Sequence, residues 1–133
     1  MTQEEAADIC GRYGWQALQA NQVDVAVVAL RQAYGLATAR ADRAAAYGIA
    51  LAKANQIDEG VAYLKKSLEL DPANIEVWCV VGELTLDMMD YQGSLAALKK
   101  CLELDPKAAH PSGRRARALI KKGEKLLKQA LAG

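Results

Sequence analysis

The amino-acid sequence predicts an all-α fold, a solenoid of three stacked helix pairs closed by a C-terminal capping helix. Three observations carry that expectation. Gly14, Gly48 and Gly82 stand 34 residues apart, and the residues around them repeat at the same interval, as they do in stacked helix-pair arrays. Apolar residues recur at spacings of three and four, with no alternating strand pattern of any length. Beyond the third unit a basic segment carries an apolar stripe of its own, the form of an atypical terminal element.

The register holds column by column. Units counted from Ala7, Ala41 and Ile75 place the three glycines in the eighth column. Later columns read Ala26/Gly60/Ser94, Leu30/Leu64/Leu98, Ala33/Ser67/Cys101 and Leu36/Leu70/Leu104. Small residues in the eighth, twentieth and twenty-seventh columns let two helix backbones approach closely, and the large apolar residues between them supply burial energy. The units span about 7–40, 41–74 and 75–108, with the capping helix at about 112–131, all within one domain of 133 residues.

Each element has local signals. Thr2 and Glu5 form a capping box that opens the first helix, which is expected to reach Ala20. A turn at Asn21-Gln22 leads to a helix from Asp24 to about Ala37. Asp42 is the expected N-cap of the third helix, ending near Asn55, and Asp58 that of the fourth, ending before Asp71-Pro72. Asn74 caps a fifth helix to about Met88, and Asp90 a sixth to Leu104, stopped at Asp105-Pro106. Short oxygen-bearing side chains suit these positions because they take up orphan amide hydrogens. Ser112 is the expected cap of the last helix. Its stripe is Ala116, Leu119, Ile120, Gly123, Leu126, Leu127, Ala130 and Leu131, opposite Arg114, Arg115, Lys121, Lys122, Lys125 and Lys128.

Trp78, Val81, Gly82, Ser94, Leu98 and Pro106 in the third unit follow a W-x2-L-G-x2-Y, A-x3-F, P pattern. The second unit keeps Tyr47, Gly48, Gly60, Leu64 and Pro72; the first keeps Gly14, Ala26, Leu30 and Ala33, with Thr38 in the proline column. Leucine takes the phenylalanine column, for the chain has no phenylalanine. Over residues 7–108 the chain resembles the tetratricopeptide repeat (TPR) family, which implies a right-handed superhelix and a role in binding proteins.

Composition narrows the classes. The chain is 52% hydrophobic and 25% charged, ordinary for a folded protein. No apolar run approaches a membrane span, and the N-terminus lacks a signal-peptide pattern, so a cytoplasmic location is expected. Cys10, Cys79 and Cys101 lack metal spacing and are expected as buried free thiols. His110, the one histidine, stands in a turn, and there is no phosphate loop or ligand cluster. Neither catalysis nor a metal, cofactor or small-molecule substrate is expected. Residues 1–111 carry ten Lys/Arg against fifteen Asp/Glu, a net −5, and residues 112–133 seven against one, a net +6. The final helix reads first as a solvating cap, ahead of a membrane or nucleic-acid contact.

The TPR resemblance places partner contacts on the first helix of each pair, in its second, fifth, ninth, twelfth and thirteenth columns. These are Asp8, Gly11, Trp15, Leu18 and Gln19, then Asp42, Ala45, Ile49, Ala52 and Lys53, then Glu76, Cys79, Glu83, Leu86 and Asp87. The expectation is an apolar floor of Trp15, Leu18, Ile49 and Leu86 with small residues leaving pockets and carboxylates setting charge preference. Relatives that clamp the acidic tail of heat-shock chaperones use Lys, Asn and Arg there. Gly11, Trp15, Ala46, Ile49, Glu76 and Val80 provide no such fork of donors. The expected partner is a protein segment, extended or an amphipathic helix. Size, repeat number and apolar groove resemble the small TPR chaperones of bacterial type III secretion. A second reading is a homodimer in which another copy covers Trp15.

Overall fold

The computed structural model describes residues 1–133 and contains seven α-helices. They are α1 (Gln3–Gln19), α2 (Val23–Leu36), α3 (Ala41–Lys53), α4 (Ile57–Leu70), α5 (Ile75–Asp87), α6 (Tyr91–Leu104) and α7 (Pro111–Ala132). The chain groups into two compact units, Met1–Pro72 with α1–α4 and Ala73–Gly133 with α5–α7, where the sequence predicts one domain. Arrays whose elements touch only their neighbours have no single centre to bury.

The repeat is visible in the backbone. Asn21, Asn55 and Met89, again 34 apart, are left-handed, with φ of 59°, 67° and 64°. At each the amides of two successive residues reach back to the end of the preceding helix. The Asn21 and Gln22 amides donate to Leu18 O and Ala17 O, those of Asn55 and Gln56 to Ala52 O and Leu51 O, and those of Met89 and Asp90 to Leu86 O and Thr85 O. This doubly bonded stop satisfies carbonyls the helix leaves unpaired.

The small columns are buried in every pair. Ala26, Ser94, Ala33, Ser67 and Cys101 are fully inaccessible, as is the leucine column of Leu30, Leu64 and Leu98 to within 1%. Backbone approaches backbone most closely in the second pair. A methyl group on Gly48 would stand 2.7 Å from the Gly60 carbonyl oxygen and 2.9 Å from Leu64 Cγ. The buried hydroxyls are satisfied locally, Ser67 donating to Ala41 O at 2.8 Å and Ser94 to Gly82 O at 2.6 Å. In the first unit Tyr34, Tyr47 and Tyr63 pack ring against ring, with Tyr47 and Tyr63 centroids 4.6 Å apart.

Three expected caps are corrected. Thr2, Asn74 and Asp90 do accept amide hydrogens, from Glu5, Val77 and Gly93. Asp42 and Asp58, however, lie inside the first turns of α3 and α4, whose N-caps are Arg40 and Gln56 without side-chain bonds. The carboxylates still favour the positive helix end. At α7 the cap is His110, whose Nδ1 accepts from Ser112 N at 3.0 Å, and Pro111 takes the first helical position, where its missing amide is not needed. Asp105, 9% exposed, braces that entry by accepting from Ala109 N and His110 N at 3.0 Å each.

Candidate partner-binding face

In the first unit the predicted contact columns lie on α1 and α3. Trp15 is 43% exposed. It lines an open recess of about 380 Å³ with Gly11, Arg12, Gln16, Gln19 and Arg43. Gln19 and Lys53 are exposed, Ile49 and Ala52 half-buried, and Ala45 buried. Leu18 is corrected: at 5% exposure it belongs to the core cluster of Ala17, Ala26, Val27, Leu30, Tyr47, Ala50 and Leu51, because its column turns inward at the end of α1. Ile49 packs against the same cluster.

The pocket expected beside Gly11 is occupied by the protein itself. A methyl group there would meet the Arg43 guanidinium, 2.0 Å from its nearest nitrogen. Arg43 is held by Asp8 at 2.5 Å and is 13% exposed, while its buried Nε has no hydrogen-bond partner. A glycine on one helix thus makes room for a long cation from the next.

The carboxylate border is also largely committed. Arg40 pairs with both oxygens of Asp42, at 3.0 and 2.8 Å, and lies 3.7 Å from Asp8. Partial burial pushes the Asp42 carboxyl up, but the Arg40 hydrogen bonds and charge, with Arg43 nearby, outweigh it and leave its pKa below the usual range. In the second unit Arg115 pairs with Glu83, and His110 Nε2 stands 3.6 Å from Glu76. Asp87 is exposed. Arginines thus take up Asp8, Asp42 and Glu83 of the expected carboxylate border, and Glu76 and Asp87 remain exposed.

In the second unit α7 takes the place proposed for a partner. Leu86 and Cys79, both 5% exposed, are packed with Leu98, Cys101, Ala116 and Leu119. A methyl group on Gly123 of α7 would rest 3.6 Å from Leu86 Cδ1. The expectation that Leu86 and Cys79 face a ligand is therefore corrected: the apolar stripe of α7 covers them. Burial pushes the Cys79 thiol up to about 11, aided by Cys101 and Glu83, so it is far from the thiolate a nucleophile needs. Cys101 is buried too, whereas Cys10 is half-exposed, so the expectation of three buried thiols holds for two.

A sequence profile of the tetratricopeptide repeat matches residues 43–74 and 75–108. The chain belongs to the tetratricopeptide repeat family. Solved TPR structures match nearly its whole length. The Arabidopsis OM64 TPR domain has a TM-score of 0.84 at 19% identity, over 93% of this chain and 98% of that one. The TPR2B domain of yeast Sti1 in complex with an Hsp70 peptide gives 0.85 at 20%, over 92% and 98%. The first TPR of Spaghetti (RPAP3) bound to the HSP90 peptide SRMEEVD gives 0.83 at 13%, over 98% and 96%. At such identities the likeness shows the fold. No curated protein sequence matches the chain significantly.

The TPR columns point to Trp15 but not to the cations beside it. Arg12, Arg40 and Arg43 lie outside the five columns. The available signal was the pairing of a contact-column glycine with a long side chain one unit further on, Gly11 with Arg43. No helix of the chain is long and apolar enough to cross a membrane.

Proposed function

We propose that this TPR chain is a protein-interaction module that holds a segment of a partner protein against α1 and α3, with Trp15 as the apolar anchor. The exposed Trp15 in a recess carries this reading, since aromatic rings set in recesses dominate interface energetics. The neighbours solved with Hsp70 and HSP90 peptides support peptide capture as a use of the fold.

Recess chemistry refines the expected ligand. With Asp8 and Asp42 paired to arginines, the groups left near Trp15 are the exposed Arg12, Gln16 and Gln19. These are donors. They suit a segment whose apolar side chain lies on Trp15 while its carbonyls or an acidic neighbour face Arg12 and the glutamine amides. A fork for a terminal carboxylate is not what these residues form, since Gly11, Ala46 and Ile49 supply no side-chain donor and Trp15 only a single indole N–H. Within this reading, size and repeat number extend the proposal to the small chaperones that hold an extended segment of a secreted protein.

The test is selection of peptides from a random library on the full chain, followed by titration. Peptides with an apolar residue beside an acidic one are expected, weakened at least tenfold by Trp15→Ala with helical circular dichroism unchanged. Affinity that survives Trp15→Ala rejects the face. Ile49→Asp is a poorer probe, because Ile49 packs on the core.

A further inference from the structure

The outer face of the first helix pair is apolar where that of the second is charged. Ile9, Tyr13, Val25 and Val28 are 46%, 59%, 40% and 53% exposed. With Cys10, Asp24, Ala29 and Gln32 they line an open groove of about 580 Å³ between α1 and α2. On α1, Ile9 and Tyr13 are turned more than 90° from Gly11 and Trp15, so this face is separate from the Trp15 recess. One repeat later the columns of Ile9, Tyr13, Val25, Val28 and Gln32 hold Arg43, Tyr47, Glu59, Ala62 and Lys66.

That comparison shows what the fold itself requires. Tyr47 and Arg43 are turned against the first pair, through the Tyr34 ring and the Asp8 carboxylate. A further helix pair stacked ahead of α1 would likewise cover Tyr13 and Ile9. It would leave Val25 and Val28 bare, because Glu59 and Ala62 are exposed with a pair already stacked ahead of them. Stacking alone therefore does not account for the valines, and the occupant must span both helices.

We propose that this face is a self-association surface, covered by the same face of a second copy in a two-fold contact. Such a contact needs a projection and a recess on one patch; here the exposed Tyr13 ring stands beside the groove that a partner's ring would enter. It also needs a face that does not repel itself. Asp24 is the one charged group among the eight lining residues, although residues 1–111 carry a net −5. The four apolar side chains expose on the order of 300 Å², the size at which a patch on a monomer marks an interaction site. With a polar rim, two such faces bury roughly 1,000 Å² in total, the lower edge of a specific interface. A weak, reversible dimer follows.

Sedimentation of the full chain from about 1 to 300 µM tests this, since a weak dimer responds to concentration. The wild type is expected to pass from monomer to dimer across the range. Val28→Glu and Tyr13→Lys, both at exposed helical positions, are expected to stay monomeric with unchanged melting temperature, while Trp15→Ala dimerises like wild type. A chain that stays monomeric throughout, leaving the face to another protein or a further polypeptide segment, overturns the proposal. So does a dimer that persists in Val28→Glu.

Discussion

Replacing Gly48 by alanine adds one methyl group where two helix backbones come closest. The added carbon would lie 2.7 Å from Gly60 O, 2.9 Å from Leu64 Cγ and 3.1 Å from Leu64 N. Two of those three atoms are backbone, so no side-chain rotation relieves the clash and α3 must part from α4. Alanine gains about 1 kcal/mol of helix propensity over glycine, against about 3 kcal/mol for overpacking a rigid contact. The net is a loss of about 2 kcal/mol, read as a melting temperature roughly 8 °C lower. Two other glycines calibrate the experiment. At Gly82 the clash is with Leu98 side-chain carbons, at 2.4 and 2.5 Å, and the backbone is no nearer than 3.4 Å. There Gly82→Ala loses about 1 kcal/mol, less than Gly48→Ala because the clash falls on a side chain rather than on backbone, but not nothing because Leu98 is fully buried. Gly35 has nothing within 4 Å, so Gly35→Ala is stabilising by about 0.5–1 kcal/mol. Urea titrations followed by circular dichroism should rank Gly35→Ala above wild type, then Gly82→Ala, then Gly48→Ala. A Gly48→Ala protein as stable as wild type would refute the close-approach argument.

Met89, at φ 64° and 74% exposed, occupies a conformation that strains most L-residues by about 1 kcal/mol, so Met89→Gly should raise the melting temperature; no rise would show the turn unstrained. Asp105→Ala strips two amides of their acceptor and is expected to cost about 2 kcal/mol, with faster hydrogen exchange at the start of α7 as the readout. Cys79 gives a pH prediction. Its folded pKa is raised from 9.0 to about 11, so its contribution is present below pH 9 and lost as pH rises from 9 towards 11. Urea midpoints measured over that window should fall less for Cys79→Ala than for wild type, and equal slopes would contradict the burial argument.

The architecture was legible because burial at a fixed column is a period-34 property. Ala33, Ser67 and Cys101 share no chemistry but share a column, and all three are fully buried. Turn chemistry was legible at Asn21 and Asn55, which tolerate the left-handed region, and illegible at the exposed Met89, where the same bonds to the Leu86 and Thr85 carbonyls form without a residue suited to that conformation. The candidate face was legible in part. Column position says which way a side chain sets out, not who meets it. Leu18 sets out along the contact columns and ends in the core. Leu86 does so and is covered by α7, whose apolar stripe the sequence showed without showing its seat on α5. The acidic border failed for a related reason, since Arg40, Arg43 and Arg115 reach the carboxylates through long side chains from other turns or helices.

The central claim is that a partner segment seats an apolar side chain on Trp15. Trp78→Phe leaves Trp15 as the one tryptophan of the chain, so its emission reports that site alone. Titrating a selected peptide into this variant should shift Trp15 emission to the blue, with a midpoint equal to the affinity measured by calorimetry, as expected when a half-exposed indole loses water. Calorimetric binding with no change in Trp15 emission would contradict the account.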